Sequence, residues 1–444
     1  MIKLKPEQIA SQAQDAHERT LALIDGLSVK QLKGPLLPIV NPLLWEIGHT
    51  AYFYELWVLR HHLKRPPLIP NEDKLYDSMT IDHDDRWDLP LPTFKDTLIY
   101  IQTVLENIKI CLAEGEDEVR DYLAQYAVFH HDMHNEAYTY TRQTLDYPAP
   151  RLGSTEIKST GQAVSHEDRR NDDVNIPAGT FMLGATQQDG FVFDNEKWAH
   201  RVEIAPFSIA KMAVSNADYL RFVEAGGYHK REYWDDNGWK WRQQAPHNPQ
   251  HTTMPDHPVY WRHTADGWQI KQFDRWIKMP MNAALIHVCW YEAQAYCRWA
   301  GRRLPSEAEW EVAAAAEPTA DGLTLSPRKR YYPWGNAVPN KELANLDGLA
   351  LGTVDVAAHS AGDSAFGCRQ MIGNVWEWTQ DTFAPYPGFE PDMYKDYSQP
   401  LFGNTRVLRG GGWATSARMI RNTWRTYYGP ERNDVFAGFR TCAL

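Results

Sequence analysis

The sequence predicts an α + (α+β) protein: a four-helix bundle over residues 1–147, a polar linker over 148–173, and a loop-rich α+β domain over 174–444. Three observations predict it. Residues 1–145 hold four long helical stretches divided by Gly and Pro punctuation. The stretch from Asp146-Tyr147-Pro148 to Arg169-Arg170-Asn171-Asp172-Asp173 is rich in Ser, Thr, Gly and charge, with few large apolar residues. Beyond residue 174, short apolar runs alternate with Gly, Asn, Asp and Trp clusters.

In the first domain the candidate helices run over 6–26, 42–64, 93–113 and 117–144. Gly34-Pro35 and Arg65-Pro66-Pro67 break the chain between them. Four helices of this length predict an antiparallel bundle. In the second domain helical signals are few, about 215–226, 290–301 and 306–316. The last opens Pro305-Ser306-Glu307-Ala308-Glu309-Trp310, a capping box with Ser306 as N-cap and Glu309 three residues on. Most of the 18 tryptophans lie in this half, as expected of a loop-rich fold that uses large rings as its core.

A chain of 444 residues is long enough for two or three domains and a real core without disulfide or metal staples. With 46 basic and 57 acidic residues the formal net charge is −11, so no nucleic-acid partner and no anionic membrane partner is expected. No run of 18 apolar residues occurs, so no transmembrane helix is expected. The start, Met-Ile-Lys-Leu-Lys-Pro-Glu-Gln, lacks the apolar core of a secretory signal. Five scattered cysteines (Cys111, Cys289, Cys297, Cys368, Cys442) fit a reducing cytoplasm better than a disulfide framework.

The strongest chemical signal is in the fourth helix, Phe129-His130-His131-Asp132-Met133-His134-Asn135-Glu136. The H-x3-H spacing puts His130 and His134 one turn apart on one face. That face continues the apolar stripe of Val119, Leu123, Tyr126 and Ala137, so both rings should point into the bundle. Two imidazoles at i, i+4 can chelate one divalent metal; they can equally be core-edge histidines bonded to backbone or water. A third, His49, sits in Trp45-Glu46-Ile47-Gly48-His49 on the second helix, on a stripe with Trp45, Phe53 and Leu56. Gly48 beside it would allow close helix approach. Three imidazoles would hold one face of a metal and leave the other open. Imidazole suits iron, zinc, copper and nickel alike, and spacing does not choose among them. Glu136 is a candidate to orient a ligand histidine, or an ordinary surface carboxylate. His131 and Asp132 are expected to face solvent or to lie in an outer layer around the site.

The H-x3-H-x-E helix with an upstream W-x2-G-H helix resembles the DinB-like bundle of the nonheme-iron sulfoxide and selenoxide synthases, the ergothioneine-, ovothiol- and selenoneine-forming enzymes. The second half is similar to the formylglycine-generating-enzyme fold, a loop-rich C-type-lectin-like domain. Segments that carry this likeness are Ile176-Pro177-Ala178-Gly179-Thr180-Phe181, Phe193-Asp194-Asn195-Glu196, Arg303-Leu304-Pro305-Ser306-Glu307-Ala308-Glu309-Trp310-Glu311, Gly373-Asn374-Val375-Trp376-Glu377-Trp378, Arg409-Gly410-Gly411-Gly412-Trp413 and Phe436-Ala437-Gly438-Phe439-Arg440. The resemblance covers nearly the whole chain. It implies Fe(II) held by His49, His130 and His134, dioxygen as co-substrate, and a new carbon–sulfur or carbon–selenium bond at the imidazole ring of hercynine from a thiol or selenol donor. Metal coordination would deprotonate and position the donor. An ordinary formylglycine-generating enzyme is disfavoured. That relative uses paired cysteines near its C-terminal end, whereas here no Cys lies between Arg409 and Arg440.

In members that use γ-glutamylcysteine, paired arginines after the second helix receive the donor's carboxylates. The matching stretch here, 75–90, has one arginine, Arg86, and five aspartates: Asp77, Asp82, Asp84, Asp85 and Asp88. A donor with two carboxylates would meet net repulsion there, unlike cysteine or a neutral sugar-borne selenol. Alternatively this is a solvated acidic loop and the donor binds elsewhere. The stretch also resembles that of the selenoneine synthases, so the selenium variant is favoured. Met133 stands where many members carry a polar residue. The family's proton donor is a tyrosine of the loop 384–397, and Tyr394 is favoured over Tyr386 and Tyr397. Asn422, Trp424, Tyr427 and Tyr428 are candidate substrate contacts. Their rings could box a trimethylammonium group at on the order of 1–2 kcal/mol per contact. Each is also a candidate for ordinary packing, and Trp376 and Trp378 are read as core. The alternatives are an ergothioneine-type sulfoxide synthase using cysteine or γ-glutamylcysteine, a DinB-like zinc or nickel hydrolase or thiol transferase, and a metal-bearing binding module.

Overall fold

Helix signals in the first 150 residues are strong because caps and apolar spacing agree. In the computed structural model, which describes residues 4–152, 173–244 and 255–444, they give six helices. These are α1 (Pro6–Ile24), α2 (Val29–Lys33), α3 (Leu43–Tyr54), α4 (Glu72–Tyr76), α5 (Phe94–Leu112) and α6 (Glu118–Thr144). Pro6 occupies the first turn of α1, where its missing N–H costs nothing. Thr93 and Asp117 cap α5 and α6 by accepting backbone N–H bonds. The helix expected over 42–64 forms as one rod, whose second part widens to π-helical pitch over Glu55–His62. The chain divides into two compact units, Met1–Leu152 and Gly153–Leu444. Most of the expected linker, 153–172, lies outside the described residues.

In the first unit, α1 and α3 each pack against both α5 and α6. Beyond its second turn α6 is therefore enclosed on nearly every side. This decides between two readings of one pair and corrects one expectation. His131 and Asp132 are buried, not solvent-facing. His131 Nε2 lies 2.8 Å from Thr20 Oγ1, and Thr20 donates to Asn135 Oδ1 at 2.6 Å, which ties α6 to α1. Val119, by contrast, is exposed, because the first turn of α6 projects beyond its neighbours' cover.

Among its described residues the second unit is built from short strands and four helices: α7 (Asn216–Glu224), α8 (Asp236–Gln243), α9 (Trp290–Ala300) and α10 (Glu307–Ala315). One four-stranded sheet is ordered Asp173–Ile176, Phe207–Ala210, Cys442–Ala443, Arg302–Arg303. A second is ordered Arg425–Tyr428, Arg406–Arg409, Trp376–Thr382, Ala437–Gly438. The capping box of α10 forms: Ser306 Oγ accepts from Glu309 N at 3.1 Å, and Glu309 accepts from Ser306 N at 2.7 Å. Around Trp310 an apolar core gathers Ile176, Phe181, Ile209 and Met371. Threaded through this unit are buried ion pairs. Arg409 meets Glu307 at 2.7 Å and Glu311 at 2.5 Å, Arg425 meets Glu307 at 2.6 Å, Arg440 meets Glu377 at 2.7 Å, and Arg421 meets Glu196. Most of these residues come from the quoted motifs, which therefore encode the internal charge pairing of the fold. Among the described residues no helix is long and apolar enough to cross a membrane.

Candidate metal centre

Helical period alone places His130 and His134 on one face of α6, and packing brings α3 against it. His49, His130 and His134 then converge, with one ligand-capable nitrogen from each lying within 4.8 Å of the others. Ring centroids are 4.6–5.0 Å apart. His49 and His130 are buried and His134 is partly exposed. His49 Nδ1 lies 2.8 Å from the backbone carbonyl of Tyr76, an acceptor, so Nδ1 carries the proton and Nε2 keeps its lone pair. Gly48 makes this possible. A Cβ there would meet the Tyr76 ring at 2.1 Å, so the expected close approach is made by a phenol ring. Trp45 stacks on His49 (4.7 Å) and Phe53 on His130 (3.8 Å), fixing both ring planes.

Burial holds His49 and His130 well below the usual imidazole range, and the neighbouring imidazoles, His134 foremost, push the same way. Both are neutral near pH 7, the state a metal requires. Three imidazole nitrogens on one side, with no carboxylate in the set among the described residues, suit a divalent transition ion with positions left for exogenous ligands. The donor set fits iron, and equally zinc, copper or nickel.

A carboxylate that reaches this cluster is Glu46, whose Oε1 lies 3.5 Å from His134 Nδ1. Glu136, the residue singled out for such a role, is buried on α6. Sequence reasoning passed over Glu46, yet it left a signal: a lone carboxylate three residues before His49 inside the apolar run Leu43-Leu44-Trp45-Glu46-Ile47. Arg86 is already engaged. Its Nη1 donates to Asn41 Oδ1 at 2.7 Å, and its guanidinium sits 4.2 Å over the Trp45 ring.

Two family models match the chain. The DinB superfamily matches residues 12–145, and the sulfatase-modifying factor enzyme 1-like domain matches residues 160–443. The chain is 36% identical over 443 residues to the hercynine oxygenase of Mycolicibacterium thermoresistibile, covering 98% of this chain and 94% of that one. It is 34% identical to the hercynine oxygenase of Mycobacterium tuberculosis, covering 98% of each. The chain belongs to the hercynine oxygenase family. The formylglycine-generating enzyme of Thermomonospora curvata is 32% identical and covers 61% of this chain and 92% of its own. As a hercynine oxygenase family member, the chain is an oxidoreductase-type enzyme with an N-terminal helical DinB-like region and a C-terminal formylglycine-generating-enzyme-like domain.

The other candidate residues of this hercynine oxygenase family member lie in the second unit, where several are enclosed by protein. Tyr386 is buried, donates to Glu307 Oε1 at 3.3 Å and lies under Arg425 at 4.0 Å; burial pushes its phenol far up. Tyr397 is also buried, 4.6 Å from Phe193, and receives Trp424 Nε1 at 3.5 Å. Tyr394 is the partly exposed member of the three. Asn422 is buried and donates to the Arg330 carbonyl at 3.1 Å, so its amide nitrogen serves the fold. Trp424 is buried edge-on to Trp376. Tyr427 and Tyr428 are half-buried; Tyr427 stacks on Phe383 at 4.2 Å, and the Arg432 guanidinium lies 5.4 Å over Tyr428. Trp424, Tyr397 and Tyr427 thus form one aromatic cluster.

Proposed function

We propose that this chain is a dioxygen-dependent nonheme Fe(II) enzyme that joins selenium, or sulfur, to the imidazole ring of hercynine. The observation that carries the reading is the convergence of His49, His130 and His134 in a chain of the hercynine oxygenase family. Family membership in an oxidoreductase class sets aside the zinc or nickel hydrolase reading. The overall balance is imidazole C–H plus donor Se–H or S–H plus dioxygen, giving the carbon–chalcogen oxide and one water. Fe(II) in the three-histidine site would supply dioxygen activation and bind the deprotonated donor.

The chain's own part is to hold that site dry and rigid and to place the substrates. Trp45 and Phe53 lock two imidazole planes, and burial keeps them neutral. Tyr394 is proposed as the proton donor, because Tyr386 and Tyr397 are buried and bonded within the fold. Tyr427, Tyr428 and Trp424 are proposed to face the trimethylammonium group. A selenol donor with few carboxylates is favoured by the five aspartates of 75–90 and by an Arg86 already occupied. Ergothioneine-type synthesis from cysteine or γ-glutamylcysteine is the second reading; the relatives' name, hercynine oxygenase, fits it and the selenium reading alike.

The test offers hercynine with a selenosugar, cysteine and γ-glutamylcysteine in turn under air, with products read by mass spectrometry. The selenosugar is expected to give the coupled product fastest. Turnover with γ-glutamylcysteine alone overturns the selenium assignment, and no oxygen uptake with any donor overturns the oxygenase reading. Alanine at His49 is expected to abolish both metal binding and turnover.

A further inference from the structure

Two of the three imidazoles are joined by a closed path of contacts that runs behind the cluster. Glu46 is buried, 2% exposed. Its Oε1 accepts from Asn41 Nδ2 at 2.9 Å and lies 3.5 Å from His134 Nδ1. Asn41 Oδ1 accepts from Arg86 Nη1 at 2.7 Å. The Arg86 guanidinium lies 4.2 Å over Trp45, and Trp45 stacks on His49 at 4.7 Å. At the inner end of this path Glu46 Oε2 and His134 Nδ1 are buried without a hydrogen-bond partner. A buried carboxylate oxygen and a buried ring nitrogen, each short of one bond and neighbours in space, are complementary.

We propose that Glu46, Asn41 and Arg86 form a positioning relay for the metal site, and that Arg86 is its outer end and not a receptor for donor carboxylates. Glu46 accepts a hydrogen bond from His134 Nδ1–H, which fixes the tautomer with Nε2 unprotonated, as the Tyr76 carbonyl does for His49. Asn41 holds Glu46 in place, and Arg86 holds Asn41 while clamping Trp45 against His49. The relay rests on the metal reading above and deepens it. With the single arginine of 75–90 so committed, the donor is of a class that needs no guanidinium from that segment, a neutral or singly charged chalcogenol.

The full chain is titrated with Co(II), read by its visible absorption, and with Fe(II). Glu46→Leu, Glu46→Gln and Arg86→Met are compared with the unmodified chain, and each is checked by circular dichroism and metal-free melting. Glu46→Leu is expected to weaken metal binding ~10–100-fold and to change the Co(II) spectrum. Glu46→Gln, which keeps an acceptor, should recover part of that loss. Arg86→Met should weaken metal binding in the same direction and leave the donor KM unchanged at saturating metal. Should Glu46→Leu fail to fold, Asn41→Ala reads the same relay with Glu46 in place. Unchanged affinity in the folded variants, or a donor KM raised tenfold by Arg86→Met with metal binding intact, overturns the relay. An unmodified chain that binds neither ion overturns the metal reading itself.

Discussion

Gly48 is the residue on which the geometry of the cluster turns. Its missing side chain lets the Tyr76 ring press against α3, and the Tyr76 carbonyl then sets the His49 tautomer. In Gly48→Ala the new methyl would lie 2.1 Å from Tyr76 Cε1 and 2.6 Å from its hydroxyl, so the ring must move. Overpacking of this kind costs roughly 1–3 kcal/mol. The variant is expected to lose that much stability in denaturant unfolding and also to bind Co(II) more weakly. A loss of stability with unchanged metal binding would separate Tyr76 from the site. The histidine trio was legible because i, i+4 spacing is local and reads off a single helix, and His49 lay on a recognisable stripe. Glu46 and Asn41 were not, because their pairing with His134 and Arg86 depends on α3, α6 and the segment 77–87 meeting in space.

Elements with a full helical period were visible in advance, and short ones were not. The long helices α1, α5 and α6, and α3 together with its π-helical continuation to His62, fall close to their expected spans, and the capping box at Ser306 forms as its spacing implied. The five-residue helices α2 and α4 are too short to show periodicity, and α8 was hidden by Asp and Gly in its first turn, where Asp235 caps Gly238 N at 2.6 Å. The tyrosine-bearing loop shows what remains outside sequence reach. Asp194 accepts from Ser398 Oγ at 2.6 Å, Asn195 donates to the same hydroxyl at 2.9 Å, and Lys197 pairs with Asp392 at 2.6 Å. The segment 193–197 therefore pins the loop that carries Tyr394 and Tyr397. Burial, with help from the Asp392 charge, pushes the Asp194 carboxyl up to about 6. A carboxyl raised in the folded state binds its proton more tightly than the unfolded chain does. Its contribution is thus present below about pH 4 and is lost as pH rises through about 6. The loss is about 3 kcal/mol at most. Asp194→Asn is expected to remove this fall, so the stability gap between the unmodified chain and the variant should move toward the variant from pH 4 to 6.5 in urea unfolding. A gap that is flat across that range would refute the assignment.

At the scale of the molecule the two units are stabilised by different physics. The first is held by helix faces and stacked rings around neutral imidazoles. The second carries fully buried guanidinium–carboxylate pairs, with Arg409 between Glu307 and Glu311 and Arg440 on Glu377. Five of the six long motifs that make the second unit recognisable carry at least one of these buried charges, so they report the fold, and the metal-competent chemistry lies elsewhere in the chain. A buried pair contributes little net stability compared with an apolar replacement of both partners, yet breaking it leaves a buried charge uncompensated, at about 3–5 kcal/mol. Arg409→Met takes one charged hydrogen bond from each of Glu307 and Glu311, which keep Arg425, in contact with Glu307 at 2.6 and 3.0 Å, and Lys329, in contact with Glu311 at 2.5 Å. Because both carboxylates keep a cation, the variant is expected to lose about 1.5–3 kcal/mol in denaturant unfolding, the worth of charged hydrogen bonds, with the loss in the second unit. The histidine cluster lies within Met1–Leu152. Co(II) affinity, measured where the variant is still folded, should therefore match that of the unmodified chain. A parallel fall in metal affinity would show that the charge pairs also support the site, and the division of labour between the units would have to be abandoned.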